Sequence, residues 1–244
     1  MWADDVPPIV FVHGTRFSAA QWSPQLAALH ERFPVAAVDL PGHGPRSAEP
    51  WSLDAAAETI ASAVDSLGRG PAVVVGHSLG GYASLEFARR CPDKLRGLVL
   101  AGASASTRGG WAIPYRWTAK AVPRVPADRL TRWNDRFLRR LYPLDVVGPT
   151  IRAGYAFHTV PAAWGEVLGR FDAGSMRHVA APVLILNGEK DTVFRSGERD
   201  FARAHPQARI ELIPRARHLA NFDDPAAFTS AVCRFAEQLP LSTS

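Results

Sequence analysis

Ala72-Val73-Val74-Val75-Gly76-His77-Ser78-Leu79-Gly80-Gly81 is the stretch that decides the fold. Its unbroken apolar opening, with three β-branched residues, reads as a strand buried on both faces, and the pattern from Gly81 to Arg90 reads as a helix. Between them lies G-x-S-x-G. A serine that is to act as a nucleophile must stand clear of the backbone on a tight strand-to-helix turn, and glycines at 76 and 80 keep a Cβ from striking the neighbouring chain. The helix that follows aims free N–H groups and the positive end of its dipole at the turn, where a developing oxyanion is stabilised.

Working outward, five more short apolar runs recur: Ile9 to Val12, Val35 to Val38, Leu98 to Ala101, Val183 to Leu186 and Ile210 to Ile213. Helical patterns separate them, over Ala19 to Arg32, Ser52 to Leu67 and Pro225 to Gln238, the last opening with Pro225 in its first turn after Asp223-Asp224. Strand and helix in alternation predict an α/β fold with a mostly parallel six-stranded sheet flanked by helices. The rhythm breaks once. Residues 105–178 contain no convincing strand and are expected to form an inserted helical cap, leaving 1–104 and 179–244 as the core. Within the cap, Leu130, Trp133, Phe137 and Leu141 are spaced to make one apolar helix face, closed by Pro143.

The 244 residues are 47% hydrophobic and 21% charged, with no repeat, which excludes disordered, collagen-like and coiled-coil classes. The net charge of +5 is concentrated: segment 105–178 holds 12 basic and 5 acidic residues, hence +7 there and −2 elsewhere. Only Arg139-Arg140 forms an adjacent basic pair in it, so the charge reads as a solvated helix face and no nucleic-acid partner is expected. Two distant cysteines, Cys91 and Cys233, make neither a disulfide framework nor a zinc knuckle. The acidic start, Met-Trp-Ala-Asp-Asp, does not resemble a secretory signal, and no apolar stretch nears the ~18 residues of a membrane span, so a cytoplasmic protein is expected. Without HExxH, CxxC, GxGxxG or a P-loop, no metal or cofactor is expected. Oligomeric state is not legible.

Other motifs join the elbow. Val10-Phe-Val-His13-Gly14-Thr15 ends a strand in HG, Val38-Asp39-Leu40-Pro41-Gly42-His43-Gly44 forms a D-x-P-G-H-G turn, Leu186-Asn187-Gly188-Glu189-Lys190-Asp191 is a strand followed by G-x-x-D, and Arg217-His218-Leu219-Ala220 precedes Asp224-Pro225. Together they resemble the α/β-hydrolase family, serine-nucleophile branch, esterase- or lactonase-like with a helical cap, over almost the whole chain. With about eight residues before the first strand, the family's initial antiparallel strands are not expected here. The elbow carries no Asp, which disfavours the branches with a carboxylate nucleophile.

The resemblance implies Ser78 as nucleophile, His218 as general base and then acid, and Asp191 as the partner that holds the imidazole. It further implies an oxyanion hole from the N–H groups of Leu79 and Thr15. The neighbouring Arg16 reads first as a solvated or structural arginine, with a second oxyanion donor or a guanidinium aimed at a substrate carboxylate as the alternatives. His13, Asp39, His43 and His77 occupy the family's structural positions. The cap's aromatic residues Trp111, Trp117, Phe157 and Trp164 are candidates for substrate binding and suggest an apolar or aryl acyl group, to which the cap's basic surface would add a negative charge. The expected activity is hydrolysis of a carboxylic ester or lactone through an acyl-enzyme. A carbon–carbon bond hydrolase of β-diketone-like compounds, a biosynthetic thioesterase or cyclase, and a ligand receptor retaining the triad stand as alternatives.

Overall fold

The computed structural model describes residues 6–110 and 112–240. Six strands, β1 (Ile9–Val12), β2 (Val35–Val38), β3 (Ala72–His77), β4 (Leu95–Ala101), β5 (Val183–Gly188) and β6 (Ala208–Ile213), form one sheet in the order β2-β1-β3-β4-β5-β6. Every pair is parallel. The chain winds to one side of β1 to make β2 and to the other to make β3. The crevice at the carboxyl ends of β1 and β3 is therefore the switch point where open α/β sheets hold ligands.

The absence of polar alternation in the strands follows from cover on both faces. Val10, Val12 and Val74 point into one apolar layer with Leu53, Ile60 and Phe87, from α2 (Leu53–Leu67) and α3 (Leu79–Arg90). Ile9, Phe11, Val73 and Val75 point into the other with Trp22, Leu29, Phe228 and Val232, on and beside α1 (Ser23–Leu29) and α10 (Pro225–Glu237). Each such side chain, fully buried, contributes roughly 1.5–3 kcal/mol of transfer free energy. Capping fixes the helix starts: Ser52 accepts from the Ala55 N–H at 3.0 Å and Asp224 from the Ala227 N–H at 2.9 Å.

Between β4 and β5 the chain forms α4 (Ala112–Ala121), α5 (Ala127–Leu141), α6 (Leu144–Ala153) and α7 (Val160–Val167). After β5 come α8 (Glu198–Arg203) and α9 (Ala220–Asp223), the latter just before α10. Among the described residues no helix is long and apolar enough to cross a membrane.

Two local expectations fail. The helix predicted over Ala19 to Arg32 is a 3-10 turn (Ala19–Trp22) followed by the shorter α1, because Pro24 lacks an N–H and takes a first-turn position. In α5 the apolar face predicted at Leu130, Trp133, Phe137 and Leu141 turns inward only in part: Leu130 and Leu141 are half-buried, but the fully buried positions are others. Trp133 is 65% exposed and stacks on Phe137, while Asn134 and Leu138 are buried. Leu138 packs into a cluster with Phe17, Val147 and Phe222, and Asn134 accepts a hydrogen bond from Arg16. These long-range contacts rotate the helix away from the phase its own pattern suggests.

Candidate active site

Ser78 sits between β3 and α3 with φ 53° and ψ −116°, a left-handed conformation unusual for a residue with a Cβ. Its N–H is tied to the Ala101 carbonyl at 2.8 Å. The turn is possible only because its neighbours are bare: a Cβ on Gly76 would lie 2.5 Å from the Gly80 carbonyl oxygen, and one on Gly80 2.5 Å from the His13 carbonyl oxygen. The N–H of Leu79, first in α3, donates to no described group, nor does that of Thr15 after β1. The loop holding Thr15 is a tight turn closed by Phe17 N–H to the Gly14 carbonyl at 3.2 Å, with Arg16 at φ 65° in third place.

Asp191 and His218 come from the loops after β5 and β6. Asp191 is buried, and its Oδ2 lies 2.7 Å from His218 Nδ1, while its Oδ1 accepts from the Phe194 N–H at 3.3 Å. The Phe194 ring stacks on His218 with centroids 4.4 Å apart. Gly102 makes room for the pair, since a Cβ there would stand 2.9 Å from the imidazole. With Nδ1 donating to the carboxylate, His218 Nε2 is left to accept a proton.

A buried polar chain fixes these loops to one another. Gly14 N–H donates to Gln21 Oε1 at 2.8 Å, and Gln21 Nε2 donates to His77 Nδ1 at 3.0 Å. His77 therefore carries its proton on Nε2, which donates to the His218 carbonyl at 3.0 Å. Nearby, His13 Nε2 accepts from the Leu40 N–H, and its Nδ1 bonds the Gly14 carbonyl.

Burial lowers His13 to about 4 and His43 to about 3, and it lowers His77 as well, with the neighbouring His218 adding to the effect. Folded-state values below the unfolded 6.5 mean stability that is complete above pH 6.5 and lost as pH falls toward those values. Near pH 5.5 unfolding is expected to take up two to three protons from these rings, a slope of roughly 3 to 4 kcal/mol per pH unit. Urea unfolding across pH 5 to 6 measures it, and a slope below one proton would mean that the rings are not buried neutral.

Ser78 and His218 line one cavity of about 250 Å³, walled also by Thr15, Arg16, Phe17 and Leu219 from the sheet side and by Phe137, Leu141 and Tyr142 from α5 and its end. Among the described residues no group of three or more His, Cys, Asp or Glu is placed to hold a metal ion.

A family model for the alpha/beta hydrolase family matches residues 9–231. The chain belongs to that family. It is 27% identical to a pimeloyl-[acyl-carrier protein] methyl ester esterase of Neisseria meningitidis, over 96% of this chain and 95% of the relative. A carboxylesterase of Bacillus subtilis is 25% identical over 95% of this chain and 80% of its own length. Among solved structures, a thermophilic esterase from Thermogutta terrifontis superposes with a TM-score of 0.77 at 26% identity, covering 95% of this chain and 90% of that one. The protein is thus an α/β-hydrolase enzyme, with esterases among its relatives.

The hydrolase brings Ser78, His218, Thr15 and Arg16 to the same cavity, with Leu79 directly behind Ser78. The cap aromatics are elsewhere. Trp117 is 70% exposed on α4, Trp164 is buried against Tyr115 and Tyr82, and Phe157 lies at a separate crevice with Val122, Pro126 and Leu130; Trp111 lies outside the described residues. Phe137, Leu141 and Tyr142 take the place that those rings were expected to fill. Phe137 and Leu141 were marked in the sequence only as part of an apolar helix face, and Tyr142 only by its place before Pro143 at the end of α5. Arg217 at the rim was also unforeseen. It is held by Asp223, whose Oδ1 accepts from its guanidinium at 2.5 Å.

Proposed function

We propose that the enzyme hydrolyses carboxylic esters or lactones through an acyl-enzyme on Ser78, with His218 as general base and Asp191 as its orienting acid. The observation that carries this reading is the 2.7 Å Asp191–His218 hydrogen bond beside a positive-φ serine at a helix N-terminus, with Ser78 and His218 in one cavity. In the first step Ser78 Oγ bonds to the acyl carbon and its proton passes to His218 Nε2. The tetrahedral oxygen is received by the Leu79 and Thr15 N–H groups, and the alkoxide leaves with the proton from His218. Water then repeats the sequence, giving up a proton to His218 and releasing the acid with Ser78 restored. The only outside reactant is water.

Residues 105–178 act in this reading as a cap over a core of 1–104 and 179–244, with Phe137, Leu141 and Tyr142 as the cap's wall of the cavity. Esters of the kind named for the Neisseria relative, methyl esters of a carrier-bound acyl chain, fall within the class. The test is a fluorophosphonate probe with intact-mass and peptide mapping. A single adduct on Ser78, with hydrolysis of aryl and alkyl esters, supports the reading. An adduct elsewhere, or turnover of vinylogous diketones with none of esters, overturns it.

Substrate size should follow the cavity wall. Phe137→Ala is expected to raise KM for a bulky aryl ester roughly tenfold through lost apolar contact, and Trp117→Ala to leave it unchanged. Equal effects of the two in steady-state kinetics would place the acyl group somewhere other than against α5.

A further inference from the structure

Among the described residues, Arg16 is a cation without an anion. Its Nε donates to Asn134 Oδ1 of α5 at 2.9 Å, and its guanidinium lies 4.6 Å from the centroid of the Phe17 ring. No described carboxylate comes within ion-pair distance, and neither Nη donates to any described residue. Its nearest titratable neighbours are the phenols of Tyr155 and Tyr142, which burial pushes up so that both are uncharged at neutral pH. Arg217, the other guanidinium of the cavity, is by contrast paired with Asp223 through its Nε and Nη2. Burial lowers Arg16 only to about 10, so it stays charged at neutral pH.

Keeping a charge in such a place without a counter-ion is unfavourable, and so is its positive φ. The arrangement is nevertheless built rather than incidental. Asn134 is fully buried and clamps Nε, which leaves the two Nη groups of the planar fork free beside a cavity shared with Ser78. Adjacent Thr15 Oγ1 is buried with no hydrogen-bond partner, a second polar group awaiting one. A planar fork with its Nη pair free matches a carboxylate.

We propose that the substrate carries a carboxylate, apart from the scissile ester, that binds the free Nη pair of Arg16 inside the catalytic cavity. The Arg16–Asn134 bond is the link by which α5 sets the direction of the fork. The inference rests on Ser78 being the reacting residue, and it narrows the substrates from esters at large to half-esters of dicarboxylic acids or esters of hydroxy acids.

The test compares matched pairs in kcat/KM: aryl and methyl half-esters of succinate, glutarate and adipate against the same chains ending in a neutral carboxamide, and butyrate esters of hydroxy acids against those of the hydroxy amides. In wild type the best charged ester should exceed its amide by roughly thirtyfold, the worth of a charge-assisted hydrogen-bonded pair. Arg16→Gln should reduce that ratio to near one and Arg16→Lys should retain part of it. A wild-type ratio of one or less in both series overturns the proposal, and needs no variant to fold. So does a ratio that survives Arg16→Gln. Binding of methyl hemiglutarate to Ser78→Ala by calorimetry separates the two readings. Arg16-dependent binding without turnover in wild type would fail the serine mechanism and keep the carboxylate site, whereas turnover without charge preference would do the reverse.

Discussion

Ser78→Ala is expected to lower kcat/KM on any accepted ester by roughly 10⁴-fold or more, with a melting temperature close to that of wild type. The side chain contributes chemistry rather than packing. It is one small polar group at the edge of a cavity, and none of the described hydrogen bonds that hold the turn uses its hydroxyl; the turn is held by the Ser78 N–H to Ala101 and by the Ser78 carbonyl, which accepts from Gly81 and Tyr82. Alanine adopts the same left-handed φ no less readily than serine. The residual rate should come from the Leu79 and Thr15 N–H groups and from binding, so the variant should still exceed uncatalysed hydrolysis. Pre-steady-state measurements with an aryl ester in excess should show no burst in this variant. A variant within tenfold of wild type would remove Ser78 from the mechanism.

The residues that surround this serine were legible because the constraints on them are local. A strand buried on both faces is written as an unbroken apolar run, and a strand-to-helix turn without room for a Cβ is written as glycine, so β3, Gly76 and Gly80 could be read from ten residues. The same holds for the order of the strands along the chain, each marked by its own run, and for α10, announced by Asp224 and Pro225. Cap side chains were not legible in that way. The buried face of α5 depends on Arg16, Phe17, Leu219 and Phe222, far away in sequence, and the local spacing fits the wrong phase as well as the right one. Trp164 illustrates the same limit. Its composition suggested a ligand ring, but α3 runs beneath it and Tyr82 takes the contact. The Gln21–His77–His218 chain joins three loops whose polar residues are unremarkable one at a time.

Asp191→Asn should cost about 10⁴ in kcat, provided the serine-protease precedent carries over. The local geometry gives a reason for it to do so. Asp191 Oδ1 already accepts from the Phe194 N–H, and Oδ2 faces His218 Nδ1. An asparagine keeping the Phe194 bond with its carbonyl oxygen must turn its NH₂ toward Nδ1, which then has to accept. The imidazole proton moves to Nε2, and the atom that should take the serine proton becomes a donor. Unlike Ser78→Ala, this variant keeps the nucleophile, so fluorophosphonate should still label Ser78, only more slowly. The other nearby acids are engaged: Asp223 holds Arg217, and Asp224 caps α10. Neither is free to stand in. A loss below tenfold in kcat, with labelling at the wild-type rate, would mean that His218 is oriented by the Phe194 ring and its own backbone rather than by Asp191.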